Sequence, residues 1–313
     1  MAPGAPVALV LGGTGYLGRA ICAGLRDEGH RVVALARRGG PVPAGCAVVT
    51  ADLSAATAPE LLRLLTRSRP SLVVNATGAL WEVTDSAMGR ANTEVVRRLV
   101  GALGAVPGPR PRLVHLGTVY EYGAPADGRE AIDEDTPERP TTPYGRTKLA
   151  GTRLVTAAVA AGRVDGCVLR LSTVIGRHAP RSSLFGMLAA RLREGSGVLR
   201  VPQLDGHRDL VDLRDVVDAV VAAARTRDRT PVLNIAGGRP VPLDGAVDAL
   251  IRISGMPVVR ESEPRATPRR DAGDSRPIGV GRALRVLDWV PRRSTHDSLT
   301  ALWESSNEVP SQL

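Results

Sequence analysis

Val7-Ala8-Leu9-Val10-Leu11-Gly12-Gly13-Thr14-Gly15-Tyr16-Leu17-Gly18 is the stretch whose reading decides the fold. Val7–Leu11 is an unbroken apolar run, the pattern of a parallel strand buried on both faces. Glycines then fall at every third position, Gly12, Gly15 and Gly18, and an amphipathic helical pattern covers Leu17–Asp27. A side chain at these glycines would keep a pyrophosphate away from the helix N-terminus, where free N–H groups and the helix dipole attract anions. A lone glycine triplet is weak evidence, but a triplet that follows a strand and opens a helix is the context a dinucleotide site requires. The loop Gly12, Gly13, Thr14, Gly15, Tyr16, Leu17 and Gly18 is therefore expected to cradle the phosphates of a dinucleotide.

Working outward, short apolar runs recur at Arg31–Ala36, Ala47–Thr50, Leu72–Asn75, Arg112–Leu116, Gly166–Leu171 and Val232–Ala236, with helical patterns at Pro59–Arg67, Asn92–Leu103 and Tyr144–Ala161. Alternating strand and helix patterns predict an α/β fold, a Rossmann-type doubly wound parallel sheet covered by helices. The regularity breaks at about 177–206, rich in Arg, Ser and Gly, and at about 257–277, rich in Pro, Arg, Asp and Glu. Both read as loop-rich parts of a smaller, discontinuous C-terminal substrate lobe. The expected division is 1–176 plus about 207–238 for the cofactor domain, and about 177–206 plus 239–313 for the lobe. Trp289 and Trp303 read as core of that lobe.

The chain has 313 residues, 43% of them hydrophobic and 23% charged, the composition of a globular protein rather than a disordered or fibrous one. Its longest apolar runs fall short of the roughly 20 residues that cross a bilayer, so no membrane association is expected. Of 41 Lys and Arg residues only Lys148 is lysine. The net charge of +9 comes from scattered arginines with few aromatic residues for base stacking, which argues against nucleic acid. Cys22, Cys46 and Cys167 are odd in number and widely spaced; they read as free thiols in a reducing cytoplasm, and nothing resembling a signal peptide precedes the glycine loop. His30, His115, His207 and His296 lack metal-ligand spacing, and no metal is expected.

The end of the second strand bears on the choice of cofactor. An acidic residue there would bind the adenine ribose of NAD, but Ala36 is followed by Arg37 and Arg38, and a guanidinium pairs naturally with a 2′-phosphate. NADP(H) is the expected cofactor. Asp52, beside Leu53 after the third strand, is a candidate acceptor for the adenine amino group; its plain reading is a turn or cap residue. Tyr144 and Lys148 stand four residues apart on one helix face, behind Pro143 at the helix start. A phenol titrates near 10, and an adjacent ammonium would lower that and could also hold the cofactor ribose. This explains why a chain so rich in arginine keeps one lysine here. Thr118 lies at the carboxyl end of the fifth strand, facing the ligand crevice of such a sheet.

These motifs resemble the extended short-chain dehydrogenase/reductase superfamily, in its sugar-nucleotide epimerase, dehydratase and reductase branch. The resemblance covers nearly the whole chain. Asn75-Ala76-Thr77 sits at the family's fourth-strand motif against the cofactor, and Asn92 matches an asparagine on the next helix. Thr118, four residues before Tyr122-Gly123, matches the catalytic Ser/Thr, and Tyr144 and Lys148 match the catalytic pair. Arg170–Gly176 resembles an Arg-x-x-Asn-Val-Tyr-Gly segment with Thr173 in place of Asn. Arg208-Asp209-Leu210-Val211 resembles the segment whose arginine contacts the nucleotide diphosphate. Leu287-Asp288-Trp289-Val290-Pro291 resembles the C-terminal pattern.

The resemblance implies substrate contacts from Thr118, Tyr144, Thr173 and Arg208, and a homodimer through Asn92–Leu103 and Tyr144–Ala161; by position, Val119 and Tyr120 beside Thr118 are further candidate substrate contacts, as is Trp81 after the fourth strand, whose plain reading is packing. Departures narrow the reaction. The Asp-Glu pair that follows the threonine in 4,6-dehydratases is here Val119-Tyr120, and Ala36-Arg37 departs from the NAD-binding 4-epimerases. His178 falls where 3,5-epimerase-reductases carry a histidine, but no cysteine accompanies Thr118; His178 reads as a surface or substrate-contact residue. The remaining expectation is NADPH-dependent reduction of a keto group on a dTDP-4-keto-6-deoxyhexose, with Tyr144 giving the proton, Thr118 holding the oxygen and Lys148 holding the cofactor. A 4-epimerase or dehydratase-like enzyme of the same branch, and a non-catalytic NADP sensor or scaffold, are the alternatives.

Overall fold

The computed structural model describes residues 4–79, 84–124, 130–195, 197–202, 204, 206–226, 228–263 and 276–306. In chain order the elements are β1 (Val7–Leu11), α1 (Tyr16–Asp27), β2 (Arg31–Ala36), β3 (Ala47–Thr50), α2 (Ala58–Ser68), β4 (Leu72–Asn75), α3 (Asp85–Gly89), a π turn (Arg90–Glu94), α4 (Val95–Gly104), β5 (Arg112–Thr118), a 3₁₀ turn (Val119–Glu121), α5 (Pro143–Ala160) and β6 (Asp165–Leu171). They continue as β7 (Thr173–Ile175), α6 (Leu184–Glu194), β8 (Val198–Pro202), β9 (His207–Asp212), α7 (Leu213–Arg225), β10 (Val232–Ile235), β11 (Pro240–Pro242), α8 (Leu243–Ser254), β12 (Val259–Glu263), α9 (Gly281–Leu287) and α10 (Thr295–Ser305).

Seven strands form one parallel sheet in the order β10-β6-β5-β4-β1-β2-β3. The order reverses at β1 and β4, the place where such sheets open a crevice at their carboxyl ends. Every residue of β1, β4 and β5 is buried, as the apolar runs predict. β3 is the exception: it is the edge strand and all four of its residues are exposed, so its apolar run does not mark a strand covered on both faces. On one face, Ile21, Cys22 and Leu25 of α1 and Val216, Ala219, Val220 and Ala223 of α7 cover the sheet; on the other, Leu61 and Leu65 of α2, Leu99 and Leu103 of α4, and Val155 and Ala158 of α5 do so. These residues recur at three- and four-residue spacing, one stripe per helix.

Residues 173–175 and 207–212, expected within the cofactor domain, form strands of a separate three-stranded sheet, β11-β9-β7; β12 and β8 form a further pair. The segment expected to be loop-rich at 177–206 contains α6 and β8. A second core gathers Phe185 and Leu188 of α6, Val247 and Leu250 of α8, and Leu299 and Leu302 of α10. Trp303 lies against it, with the Arg193 guanidinium 3.5 Å above its ring. Trp289 corrects the sequence reading: it packs in the large-sheet core beside α7, its indole N–H donating to the Asp215 carbonyl at 2.9 Å. The chain thus returns to the large domain after α8, because α9 packs on β10 and α7. All three cysteines are free thiols. Among the described residues no helix is long and apolar enough to cross a membrane, and no cluster of His, Cys, Asp and Glu could hold a metal ion.

Candidate active site

The glycine loop joins β1 to α1 as the spacing requires. Gly12 has φ +75°, and a Cβ there would meet the Ala76 carbonyl oxygen at 2.9 Å, so both conformation and space exclude a side chain. A Cβ on Gly18 would lie 2.1 Å from the Gly12 carbonyl oxygen, which lets α1 start directly behind the loop. Gly12 and Gly13 N–H groups both donate to the Leu35 carbonyl, pinning the loop to β2, while Gly15 stays exposed at the helix cap. This bare, backbone-lined cradle at a helix N-terminus fits a pyrophosphate.

The next wall is held by buried amides. Asn75, at the end of β4, accepts hydrogen bonds from the Thr77 N–H and hydroxyl at 3.1 and 2.6 Å. This fixes its amide so that Nδ2 donates to His115 Nδ1 at 3.0 Å. His115 is fully buried, and desolvation followed by the charge of Lys148 pushes its pKa well down, so it is a neutral core residue. Asn92 sits in the π turn. Its Nδ2 donates to the Ala79 carbonyl at 3.0 Å and to the Thr147 hydroxyl at 3.1 Å, and its Oδ1 accepts from the Ala79 N–H at 2.9 Å. The extra residue of a π turn aims Asn92 sideways between the loop after β4 and α5. Asn75 and Asn92 therefore act on the crevice by shaping its backbone.

Thr118 ends β5, and its hydroxyl accepts the Tyr120 N–H at 3.3 Å to start the 3₁₀ turn. Opposite, Thr142 caps α5 by accepting the Gly145 N–H at 2.9 Å, and Pro143 occupies the first turn, as predicted. A Cβ on Gly145 would lie 2.5 Å from the Tyr120 carbonyl oxygen, so the helix start is pressed against the Thr118 turn. The Tyr144 and Tyr120 rings meet edge to face with centroids 6.1 Å apart. Lys148 is 4% exposed and its ammonium donates to the Leu116 carbonyl of β5. Burial lowers its pKa to about 8, against a smaller raising effect of Glu121. Burial, then Glu121 and Tyr120, push the Tyr144 phenol above its ordinary value, while a hydrogen bond with Thr118 pulls it down. The Lys148 ammonium is turned to the Leu116 carbonyl, and the influences that raise the Tyr144 phenol leave it protonated.

The remaining candidates disperse around this centre. Arg37 and Arg38 are exposed just beyond β2. Asp52 is exposed and accepts the Ser54 N–H and hydroxyl at 2.9 and 2.6 Å; these bonds, and more weakly Arg37, lower its pKa. It thus serves a turn, its plain reading, with buried Leu53 beside it. Val119 and Tyr120 are half-buried in the 3₁₀ turn, and Thr173 is half-buried at the start of β7. Arg208 is buried in β9 and donates to the His207 carbonyl at 3.1 Å. Trp81 lies outside the described residues. His178 lines a groove of about 600 Å³ between α1 and α7, with Arg19 and Arg177, whose lining includes neither Thr118 nor Tyr144.

Glu121, one residue too late in the sequence to match the dehydratase Asp-Glu pair, has a structural role that its sequence reading missed: it is 0% exposed directly behind Thr118, and Thr118-Val119-Tyr120-Glu121 has the Thr-x-x-Glu spacing of a capping box.

A hydroxyl, a phenol and an ammonium gathered at the carboxyl edge of a Rossmann sheet, next to a phosphate cradle, define an enzyme that works with a nicotinamide dinucleotide. Residues 8–236 match the NAD dependent epimerase/dehydratase family, and the chain belongs to it. It is 39% identical over 306 residues to a dTDP-6-deoxy-L-talose 4-dehydrogenase (NAD(P)(+)) of Kitasatospora kifunensis, covering 96% of each chain. It is 27% identical to a UDP-glucose 4-epimerase of Streptomyces lividans, again over 96% of each. Among solved structures it is similar to MoeE5 in complex with UDP-glucuronic acid and NAD, with a TM-score of 0.82 and 27% identity, covering 96% of this chain and 99% of that one. The protein is thus an NAD(P)-dependent, sugar-nucleotide-modifying enzyme of the extended short-chain dehydrogenase/reductase type.

Proposed function

We propose that this enzyme reduces the 4-keto group of a dTDP-4-keto-6-deoxyhexose with NADPH. The observation that carries the reading is the fate of the carboxylate nearest Thr118. Glu121 is wholly buried and bonded on both oxygens, which leaves Thr118 and Tyr144 as the hydroxyl donors at the crevice and no free acid–base pair in the turn for eliminating water. Such a site suits the exchange of a ketone and a carbinol. A 4-dehydrogenase and a 4-ketoreductase catalyse that exchange in opposite directions, so the similarity to a dTDP-6-deoxyhexose 4-dehydrogenase supports the same chemistry.

The cradle from Gly12 to Gly18 would hold the pyrophosphate, Arg37 and Arg38 the 2′-phosphate, and Lys148 the nicotinamide ribose. When bound, the nicotinamide supplies the hydride. Tyr144 gives its phenolic proton to the oxygen that develops negative charge at C4, and Thr118 donates a second hydrogen bond to that oxygen. The upward pressure on the phenol keeps that proton in place at neutral pH. Arg208 and Thr173, on the paired strands β9 and β7, would meet the nucleotide diphosphate and the sugar. We further propose a homodimer through α4 and α5, checked by light scattering after size exclusion.

The test is incubation with a thymidine-diphosphate keto-sugar panel and NADPH. Loss of nicotinamide absorbance is expected. Interconversion of UDP-glucose and UDP-galactose without such loss would instead identify a 4-epimerase. An unchanged rate in Arg208→Ala would point to a ketone lacking the nucleotide.

A further inference from the structure

Glu121 has three partners, two of them beyond what a turn cap needs. Its Oε1 accepts the Thr118 N–H at 3.0 Å and the Thr152 hydroxyl at 2.9 Å, and its Oε2 accepts the Arg170 Nε–H at 2.8 Å. Thr152 stands on α5 at the rung after Tyr144 and Lys148, each four residues from the next, so all three share one helix face. Arg170, from β6, is 1% exposed, its guanidinium 4.6 Å over the Tyr122 ring, and its other arm reaches Glu138, which in turn pairs with Arg153 of α5. A Cβ on Gly117 would lie 2.9 Å from Glu121 Oε1, so the carboxylate fills the space under the end of β5. A buried ion pair of this kind is weak evidence for stability, since its desolvation cost offsets the attraction; a role in fixing geometry accounts for it better.

We propose that Glu121 is a positioning residue, whose buried carboxylate, neutralised by Arg170, ties the Thr118 end of β5 to the Tyr144–Lys148–Thr152 face of α5 and so sets where hydroxyl and phenol meet the substrate oxygen. The capping box accounts for the Thr118 N–H bond, and the Thr152 and Arg170 bonds supply the cross-link between strand and helix. This rests on the reading that Thr118 and Tyr144 serve the same oxygen, which holds for reduction, dehydrogenation or epimerisation alike. The charged and titratable groups acting on the phenol are Glu121 and Tyr120, with Lys148 one turn along the same face of α5; those around Glu121 are Arg170, Tyr144 and Lys148, with Glu138 behind Arg170. Glu121 presses the phenol up, so removing its charge lets the phenol titrate at lower pH.

The test uses whichever substrate the wild type turns over: a keto sugar with NADPH, its 4-hydroxy form with NADP⁺, or UDP-glucose. Thr152→Val keeps the ion pair and cuts the tie to α5. It should lower kcat about 10-fold or more with KM within about twofold, and Thr152→Ser should restore kcat. Glu121→Gln should move the alkaline limb of the kcat profile at least about 0.5 pH units lower. Crystal structures of wild type and Thr152→Val should show the Thr118 hydroxyl and Tyr144 phenol further apart in the variant, a readout that needs no turnover. Unchanged kcat in Thr152→Val, an unmoved limb in Glu121→Gln, or an unchanged separation would each overturn the proposal. Failure of the keto sugars alone would overturn the proposed function and leave this one standing.

Discussion

Replacing Lys148 should separate what the site needs from what the fold prefers. The ammonium is 4% exposed, and burial lowers its pKa from 10.5 to about 8. At about 1.4 kcal/mol for each tenfold change in proton affinity, the fold bears a cost of roughly 3 kcal/mol for holding this charge at neutral pH. Lys148→Met removes that cost but strands the Leu116 carbonyl, worth about 1 kcal/mol, so the variant should gain about 2 kcal/mol at pH 7. For a chain of 313 residues that is about 3 °C in Tm. Below about 8 the folded and unfolded chains both hold the proton and the cost is complete. Between about 8 and 10.5 the unfolded chain binds more protons than the folded one, so wild-type stability rises with pH and the gap to Lys148→Met closes. Lys148→Arg cannot release its proton, and its added volume in this packed site costs about 1–3 kcal/mol, so it should melt below wild type at either pH. Both variants should lose enzymatic activity by about 100-fold or more. Thermal melts at pH 7 and 10 provide the assay. A Lys148→Met variant less stable than wild type at pH 7, or a gap that does not change with pH, would refute the reasoning.

Tyr144→Phe should lower turnover by about 1,000-fold while NADPH affinity, followed by the fluorescence of the bound nucleotide, stays within about twofold. Arg37→Ala should narrow the ratio of kcat/KM for NADPH over NADH by about 10-fold, because an exposed guanidinium beyond β2 is the expected 2′-phosphate partner; an unaltered ratio would remove Arg37 from that role. Asn92→Ala removes three hydrogen bonds between the loop after β4 and α5, and should cost about 1–3 kcal/mol in urea unfolding together with weaker cofactor binding. NADPH affinity in the wild type should fall as pH rises through about 8, where Lys148 loses its charge, and titration at pH 7 and 9 checks the direction.

The large sheet was legible because parallel strands buried on both faces are written as continuous apolar runs; Val7–Leu11, Arg31–Ala36 and Leu72–Asn75 stand where those runs put them, and the run at Ala47–Thr50 gave the place of the edge strand but not its exposure. The lobe was not, because strands such as Thr173–Ile175 and Pro240–Pro242 are too short to carry a period. The π turn at Arg90–Glu94 is invisible to a search for helical spacing, since it inserts one residue without breaking the apolar face. Trp289 was placed in the wrong core because the sequence does not say where a chain returns to an earlier sheet. Tyr144 and Lys148 were readable from their spacing, but the orientation of the ammonium toward Leu116 was not. The burial of Glu121 depends on Arg170, 49 residues away on β6, and no local pattern announces such a partner.

The most direct measurement is NMR of the sugar product after incubation with NADPH and a thymidine-diphosphate 4-keto-6-deoxyhexose. A new proton at C4 and one NADPH consumed per sugar are expected, both abolished in Tyr144→Phe. A keto sugar returned unchanged, or a sugar altered with no NADPH consumed, would contradict reduction at C4.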